Sequence, residues 1–221
     1  MSAGFGAFGK IPGMGDFLKV NLPASFVQAW DTWLQEGLLA LRERMGTGWN
    51  DAYLSAPIWR FTLPAGIAGD RAMSGILMAS VDRVGRQYPM TIATPHPDTD
   101  PALTHFANRT VFEQLEKIAL SALDDEIGRD RLMSALDTVT FVAPAHARVS
   151  GRTYIGALPA AQVLAADSLT ASHGTSALWS AMLQGNHRLM LTRDLPNAAE
   201  MQGLFDLSAP LWAQAQVAQT A

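Results

Sequence analysis

Apolar and polar positions between Leu54 and Pro95 follow the spacing of extended strands. In Ile58–Leu63, Trp59, Phe61 and Leu63 fall on one face and Ile58, Arg60 and Thr62 on the other, a period of two that predicts a strand. Ala65–Arg71 carries Gly66, Gly69 and Asp70, residues that tolerate positive φ, and predicts a reversal. Gly75–Val81 is nearly all apolar, as suits an interior strand covered on both faces. A second turn over Asp82–Gln87, with Gly85, leads to a third strand at Tyr88–Thr94. Pro89 has no N–H to give a neighbour, so that end is expected at a sheet edge or a strand terminus. Strands joined by short turns make an antiparallel sheet, and the flanking segments are long enough to cover it with helices.

The remaining chain supplies that cover. Phe5–Ile11 is a Gly-rich apolar run expected as a flexible edge strand, followed by a turn over Pro12–Phe17. A helix is predicted from Pro23 to Met45, with Asn21 as its cap and Gly46 as its stop. Phe26, Trp30, Trp33, Leu34, Leu38, Leu41 and Met45 form its apolar stripe. Thr94–Pro101 reads as a loop, Ala102–Ile127 as a second long helix closed by Gly128, and Arg131–Leu136 as a short one. Thr138–Ala171 has no clean period; irregular cover and a short helix around Pro159–Ala166 both fit it. Ser176–Leu183 and His187–Thr192 predict a hairpin turning at Gln184-Gly185-Asn186. A last helix is expected at Ala198–Phe205, and a frayed tail from Ala213 onward. No repeat, linker or charge run divides the chain, so residues 1–221 are read as one domain.

Composition narrows the classes of function. A chain of 221 residues can bury its core without staples, and it has no cysteine, which removes disulfides, thiolate nucleophiles and Cys-based metal sites. The net charge is −4, and Lys10, Lys19 and Lys117 are the only lysines, which argues against a nucleic-acid surface. No window approaches the run of about 18 apolar residues needed for a membrane span, and no signal peptide is recognisable. The cytoplasm is therefore the expected compartment. Six tryptophans suggest large core anchors, with some available to a partner.

Several motifs match in form but not in context. Gly4 through Gly9 satisfies G-x-G-x-x-G, and Gly4 through Lys10 satisfies G-x-x-x-x-G-K, with Ile11 where a magnesium-binding Ser or Thr belongs. Both need a strand before the glycines and a helix starting at them. Pro12 follows instead, so no nucleotide cofactor is expected. His96, Asp98 and Asp100 share one stiff loop, too few convergent ligands for a metal. His105, His146, His173 and His187 are scattered, and no G-x-S-x-G elbow marks a nucleophilic serine. More informative are the polar residues that interrupt the strands and turns: Arg60, Ser80, Asp82 and Arg86, with Lys10, Asp16 and Phe17 beside the Gly-rich turn. The favoured account is an internal ion pair, Asp82 with Arg86 or Arg60, pinning the second turn. The alternative is an exposed recognition cluster. Ser176 and Trp179 are expected to pack within the sheet.

In order along the chain, Gly9-Lys10-Ile11-Pro12, Gly15-Asp16-Phe17, Trp30-Asp31-Thr32-Trp33-Leu34, Ala56-Pro57-Ile58-Trp59-Arg60-Phe61 and Ser80-Val81-Asp82-Arg83-Val84-Gly85-Arg86-Gln87-Tyr88-Pro89-Met90 resemble TagF, an accessory family of bacterial type VI secretion systems. Ser176-Ala177-Leu178-Trp179 is similar to the family's Ser-x-x-Trp segment. The resemblance implies a three-layer α/β/α sandwich with a largely antiparallel central sheet. It further implies a cytoplasmic, non-enzymatic repressor that keeps the secretion apparatus from assembling after its parts have been made, and whose partner is the forkhead-associated scaffold protein of that system. No cofactor, catalytic residue, nucleic acid or membrane insertion comes with it. The residues expected to serve as partner-binding anchors or structural pins are Lys10, Asp16, Phe17, Trp59, Arg60, Ser80, Asp82 and Arg86. A hydrolase, a nucleotide-dependent enzyme and a structural subunit of the apparatus are the alternatives.

Overall fold

Alternating strand faces and amphipathic helices resolve into three layers. The structure, a computed structural model, describes residues 4–144 and 153–213. Seven strands form one sheet: β1 (Gly6–Gly9), β2 (Leu18–Val20), β3 (Trp59–Leu63), β4 (Ala72–Met78), β5 (Met90–His96), β6 (Ala177–Leu183) and β7 (Asn186–Thr192). Their order is β2-β1-β5-β4-β3-β6-β7, and every neighbouring pair is antiparallel. Helices α1 (Ala24–Met45), α2 (Trp49–Ser55), α3 (Pro101–Ala107), α4 (Arg109–Ser121), α5 (Arg129–Leu136), α6 (Ala160–His173) and α7 (Ala198–Phe205) cover the sheet, with a final turn at Pro210–Ala213.

The period of two in β3 sorts the core into two halves. Trp59, Phe61 and Leu63 face α1, α2 and α7 in one cluster with Trp30, Leu34, Tyr53, Trp179 and Phe205. The Trp30 and Trp179 rings stack at 5.9 Å between centroids and 7° between planes, with Phe61 4.9 Å from Trp30. Such pairs add about 0.5–1.5 kcal/mol each beyond the area they bury. The Trp30 indole N–H, which burial would otherwise leave unpaired, donates to Thr91 Oγ1 at 2.8 Å. On the opposite face Ile76, Met78, Met90 and Ile92 pack beneath Phe112, Leu115, Leu132 and Leu136 of α4 and α5. Leu178 meets α3 and α6 in a third, smaller cluster.

The first central strand, the β6–β7 hairpin and α7 stand where they are expected, while the second central strand is Ala72–Met78 rather than Gly75–Val81 and the third is Met90–His96 rather than Tyr88–Thr94, running into the stretch read as a loop. The undecided 138–171 stretch ends in a helix, as one of its two readings had it, but α6 runs on to His173 rather than stopping near Ala166; its Val163 and Ala166 are buried. Other expectations are corrected. The Gly-rich run is no edge strand: β1 lies between β2 and β5. Asn21 does not cap α1; it sits at φ 52 and its amide donates to the Phe5 carbonyl at 3.1 Å, leaving Pro23 as the cap. The helix expected over Ala102–Ile127 is two, broken at Asn108, whose side chain donates to the Val142 carbonyl (2.7 Å) and accepts from the Val142 N–H (2.9 Å). That exchange ties the break to the stretch beyond α5 and satisfies partly buried backbone groups. The hairpin turns on two residues, Gln184 and Gly185, both at positive φ, rather than three. The β2 strand and α2 had no counterpart in the pattern. The frayed-tail expectation falls largely on residues 214–221, outside the described residues.

At Gly75, β4 approaches β5 so closely that a Cβ would collide with the Ile92 carbonyl and with Ala93. Gly75→Ala should therefore destabilise by about 1–3 kcal/mol, the range for overpacking a tight core. Urea unfolding measures it, as a lowered midpoint with the slope unchanged.

Candidate partner-binding face

Two turns meet at one end of the sheet, the β1–β2 turn around Gly13–Phe17 and the β4–β5 turn over Asp82–Gln87. Glycine lets the first of them start where it does. Gly9 lies at φ 124, and a Cβ there would strike the Pro89 carbonyl. Gly6 is likewise pressed against the backbone of Val20 and Asn21. The motif glycines thus serve the close approach of strands β2, β1 and β5.

Asp82 joins the two turns. Its Oδ2 accepts from Lys10 Nζ at 2.9 Å and from Arg86 Nε at 2.6 Å. Its Oδ1 accepts from the backbone N–H of Arg86 (2.8 Å) and of Val84 (3.1 Å). Burial works to raise the Asp82 pKa, but the hydrogen bonds from Lys10, from the Arg86 backbone and side chain, and from Val84 outweigh it and hold the carboxyl far below the usual carboxylate range. The arginines close the joint from above: Arg83 Nη2 donates to the Gly13 carbonyl at 2.6 Å, the Arg83 N–H to the Met14 carbonyl at 3.2 Å, and Arg86 Nη2 to the Gly15 carbonyl at 3.2 Å.

An apolar tip sits on this polar joint. Phe17 packs edge-on against Tyr88 at 4.8 Å, lies 5.1 Å from Lys10 Nζ and stays 47% exposed. Val84, at the end of the second turn, is 72% exposed. Beside them a cavity of about 450 Å³ opens between α1 and the turn, lined by Leu38, Leu39, Arg42, Gln87 and Tyr88. Tyr88 is fixed by donating to Asp31 at 2.6 Å, and Gln87 by accepting from the Trp49 indole at 2.6 Å.

The structure thus brings Lys10, Phe17, Asp82 and Arg86 together, and leaves Asp16 exposed on the same turn. It does not bring Arg60 there. Arg60 pairs with Ile76 and Ser180 in the ladder and projects to the other side of the sheet, where it holds Glu116 through two bonds of 2.6 and 2.9 Å. Of the two partners expected for Asp82, Arg86 is found and Arg60 is not. Trp59 is a core residue, its indole donating to the Leu204 carbonyl at 2.7 Å. Ser80 is buried, its backbone clamped by the Tyr53 hydroxyl and its own hydroxyl without a partner among the described residues. Sequence reasoning missed Arg83 and Val84, although both lie in the segment that carries the resemblance.

His105, expected to stand apart from the other histidines, is linked to His96, which the structure places at the end of β5 rather than in the following loop. Ser180 Oγ lies 2.7 Å from His105 Nε2, His105 Nδ1 3.0 Å from Thr62 Oγ1, Thr62 Oγ1 3.1 Å from Ser74 Oγ, Ser74 Oγ 3.0 Å from His96 Nε2, and His96 Nδ1 2.8 Å from the Pro97 carbonyl. Burial pushes both imidazoles down, His105 to about 3 with a further push from the Arg60 charge. Among the described residues no group of three or more His, Asp or Glu is arranged to hold a metal ion, and no helix is long and apolar enough to cross a membrane.

The sequence profile of the TagF N-terminal domain, described as type VI secretion system-associated, matches residues 6–139. The chain belongs to the TagF family. The turns that carry Lys10, Phe17, Asp82 and Arg86 lie inside that match, and the β6–β7 hairpin lies beyond it. No curated protein matches the chain. Among solved structures, PA0076 from Pseudomonas aeruginosa PAO1 is 31% identical, covers 98% of each chain and superposes with a TM-score of 0.75. The fold described above is thus shared over nearly the whole length, including the part outside the TagF match.

The lowered histidines make stability pH-dependent with a definite sign. An unfolded imidazole takes up its proton near pH 6.5 and the folded His105 only near 3, so its contribution is complete above about 6.5 and is lost as pH falls. Between pH 6.5 and 5 the loss for His105 is about 2 kcal/mol. Thermal melts at pH 7 and pH 5 should show a fall in midpoint that is smaller in His105→Gln; equal falls in the two proteins would contradict the buried neutral ring.

Proposed function

We propose that this TagF-family chain is a post-translational negative regulator of a type VI secretion system, and that it works in the cytoplasm by binding the system's forkhead-associated scaffold protein, without catalysis. Membership of the TagF family supports the link to type VI secretion. The observation that carries the binding reading is the Asp82 joint, which holds an exposed Phe17 and Val84 on a stiff base. Side chains preordered in this way lose little entropy on docking, which favours affinity. A standard interface of roughly 1,600 Å² with a few aromatic or arginine anchors is sufficient for repression by sequestration. Phe17, Arg83, Val84 and Arg86 are offered as those anchors.

Purified scaffold protein pulled down with Phe17→Ala and Val84→Asp should be recovered at least about tenfold less well than with the unaltered chain, the loss expected of hot-spot residues. Leu164→Asp, on the exposed side of α6, is the control and should bind normally. Unchanged binding by both tip variants would move the interface elsewhere. Deleting the gene should release secretion, whereas loss of secretion would indicate a building block of the apparatus.

A further inference from the structure

The hydrogen bonds behind Ser180 set what its hydroxyl can do. The Ser74 hydroxyl donates to Thr62 Oγ1 at 3.1 Å. Thr62 is fully buried, and its oxygen also lies 3.0 Å from His105 Nδ1. A buried hydroxyl proton without an acceptor is costly, so Thr62 gives its proton to His105 Nδ1. The His105 ring is neutral, because burial and the nearby Arg60 charge push its pKa down to about 3. A neutral imidazole carries one proton, which therefore sits on Nε2 and is donated to Ser180 Oγ at 2.7 Å. The proton of Ser180 itself is left without a protein partner among the described residues. Ser180 is thus a free donor.

Ser180 lines a cavity of about 260 Å³ between α3, α4, α6 and the β6–β7 hairpin, with Phe106, Phe112 and Leu189 as apolar walls. Arg60, its neighbour across the ladder, lines the same cavity. Glu116 occupies Arg60 Nε and Nη2, and Nη1 makes no hydrogen bond among the described residues. Arg109 is a second lining cation; its side chain is 74% exposed and its bond to Glu113 is a surface i,i+4 pair, which costs little to give up. None of the lining residues is Asp or Glu. Donors without a matching acid, set among aromatic and aliphatic walls, call for an anion with an apolar body. We propose that this cavity binds a small monocarboxylate, whose oxygens accept from Ser180, Arg60 and Arg109 while its body fills the space between Phe106, Phe112 and Leu189. An apolar cavity of about 150 Å³ holds benzene, so this one has room for a single ring together with its carboxylate. An amine would meet two arginines, and an amide would set its N–H groups against other donors. A free acid and the C-terminus of a chain ending in an apolar residue offer the same chemistry. The site is independent of the partner-binding reading.

Phenylacetate is the probe, with phenylacetamide as its uncharged match and a tripeptide ending in phenylalanine as the second source of the carboxylate. Calorimetric titration of the full chain should give a Kd of about 1 mM or tighter, the level that roughly ten heavy atoms reach at ordinary ligand efficiency. Phenylacetamide should bind at least about tenfold more weakly. Ser180→Ala removes one hydrogen bond to a charged group and should weaken binding about tenfold. Leu189→Trp, at a half-exposed position on the hairpin, should fill the cavity and abolish binding. Melting curves check that both variants are folded. Tighter binding of the tripeptide than of phenylacetate would identify a chain terminus as the occupant, and binding of phenylacetate alone a free acid. No binding of either carboxylate, equal binding of phenylacetamide, or undiminished affinity in folded Leu189→Trp would each overturn the proposal.

Discussion

A carboxylate taken out of water must be matched by donors, and the Asp82 site is built around that requirement. Four donors converge on its two oxygens: an ammonium from the end of β1, a guanidinium from its own turn, and two backbone N–H groups. Losing a donor would leave part of that charge unmatched, so the partners are held as firmly as the charge they satisfy. Two turns that belong to different hairpins are thereby locked into one surface. Lys10 reaches Asp82 because Gly9 allows β1 to lie against the Pro89 carbonyl. The motif that looked like a phosphate loop is a device for bringing an ammonium to a carboxylate.

The aromatic half of the core supplies the base on which this joint rests. Trp30, Phe61 and Trp179 link α1, β3 and β6, while Tyr53 of α2 grips the Ser80 backbone just ahead of Asp82. Tyr88 carries the restraint onward, bonding Asp31 of α1 and packing beneath Phe17. Packing and polar satisfaction therefore converge on the same end of the sheet. The exposed side chains at its tip, Phe17 and Val84, stand on that base.

Much of this was legible in the sequence, because strands and amphipathic helices announce themselves through local spacing. The alternation of Trp59, Arg60, Phe61 and Thr62 gave β3 and both of its faces, and the stripe from Phe26 to Leu41 gave α1. The Asp82–Arg86 pair was readable because its members lie four residues apart. What depends on distant partners was hidden. Arg60 holds Glu116, a residue 56 positions away on a helix whose orientation no period reveals. Asn108 breaks a helix because Val142 needs its amide, and nothing near Asn108 announces that. His96 and His105 look unrelated until β3 and β4 place Thr62 and Ser74 between them. The roles of Val84 and Arg83 were obscured for another reason: exposure is a property of the assembled surface.

Hydrogen exchange at the amides of Val84 and Arg86 tests the central claim most directly. Both sit in a solvent-facing turn, and both donate to Asp82 Oδ1. Protection comparable to that of the β4 and β5 amides is the expected result, since releasing either amide would require opening the buried carboxylate's whole set of partners. Exchange at the rate of an unrestrained surface turn would contradict the joint and, with it, the preordered face.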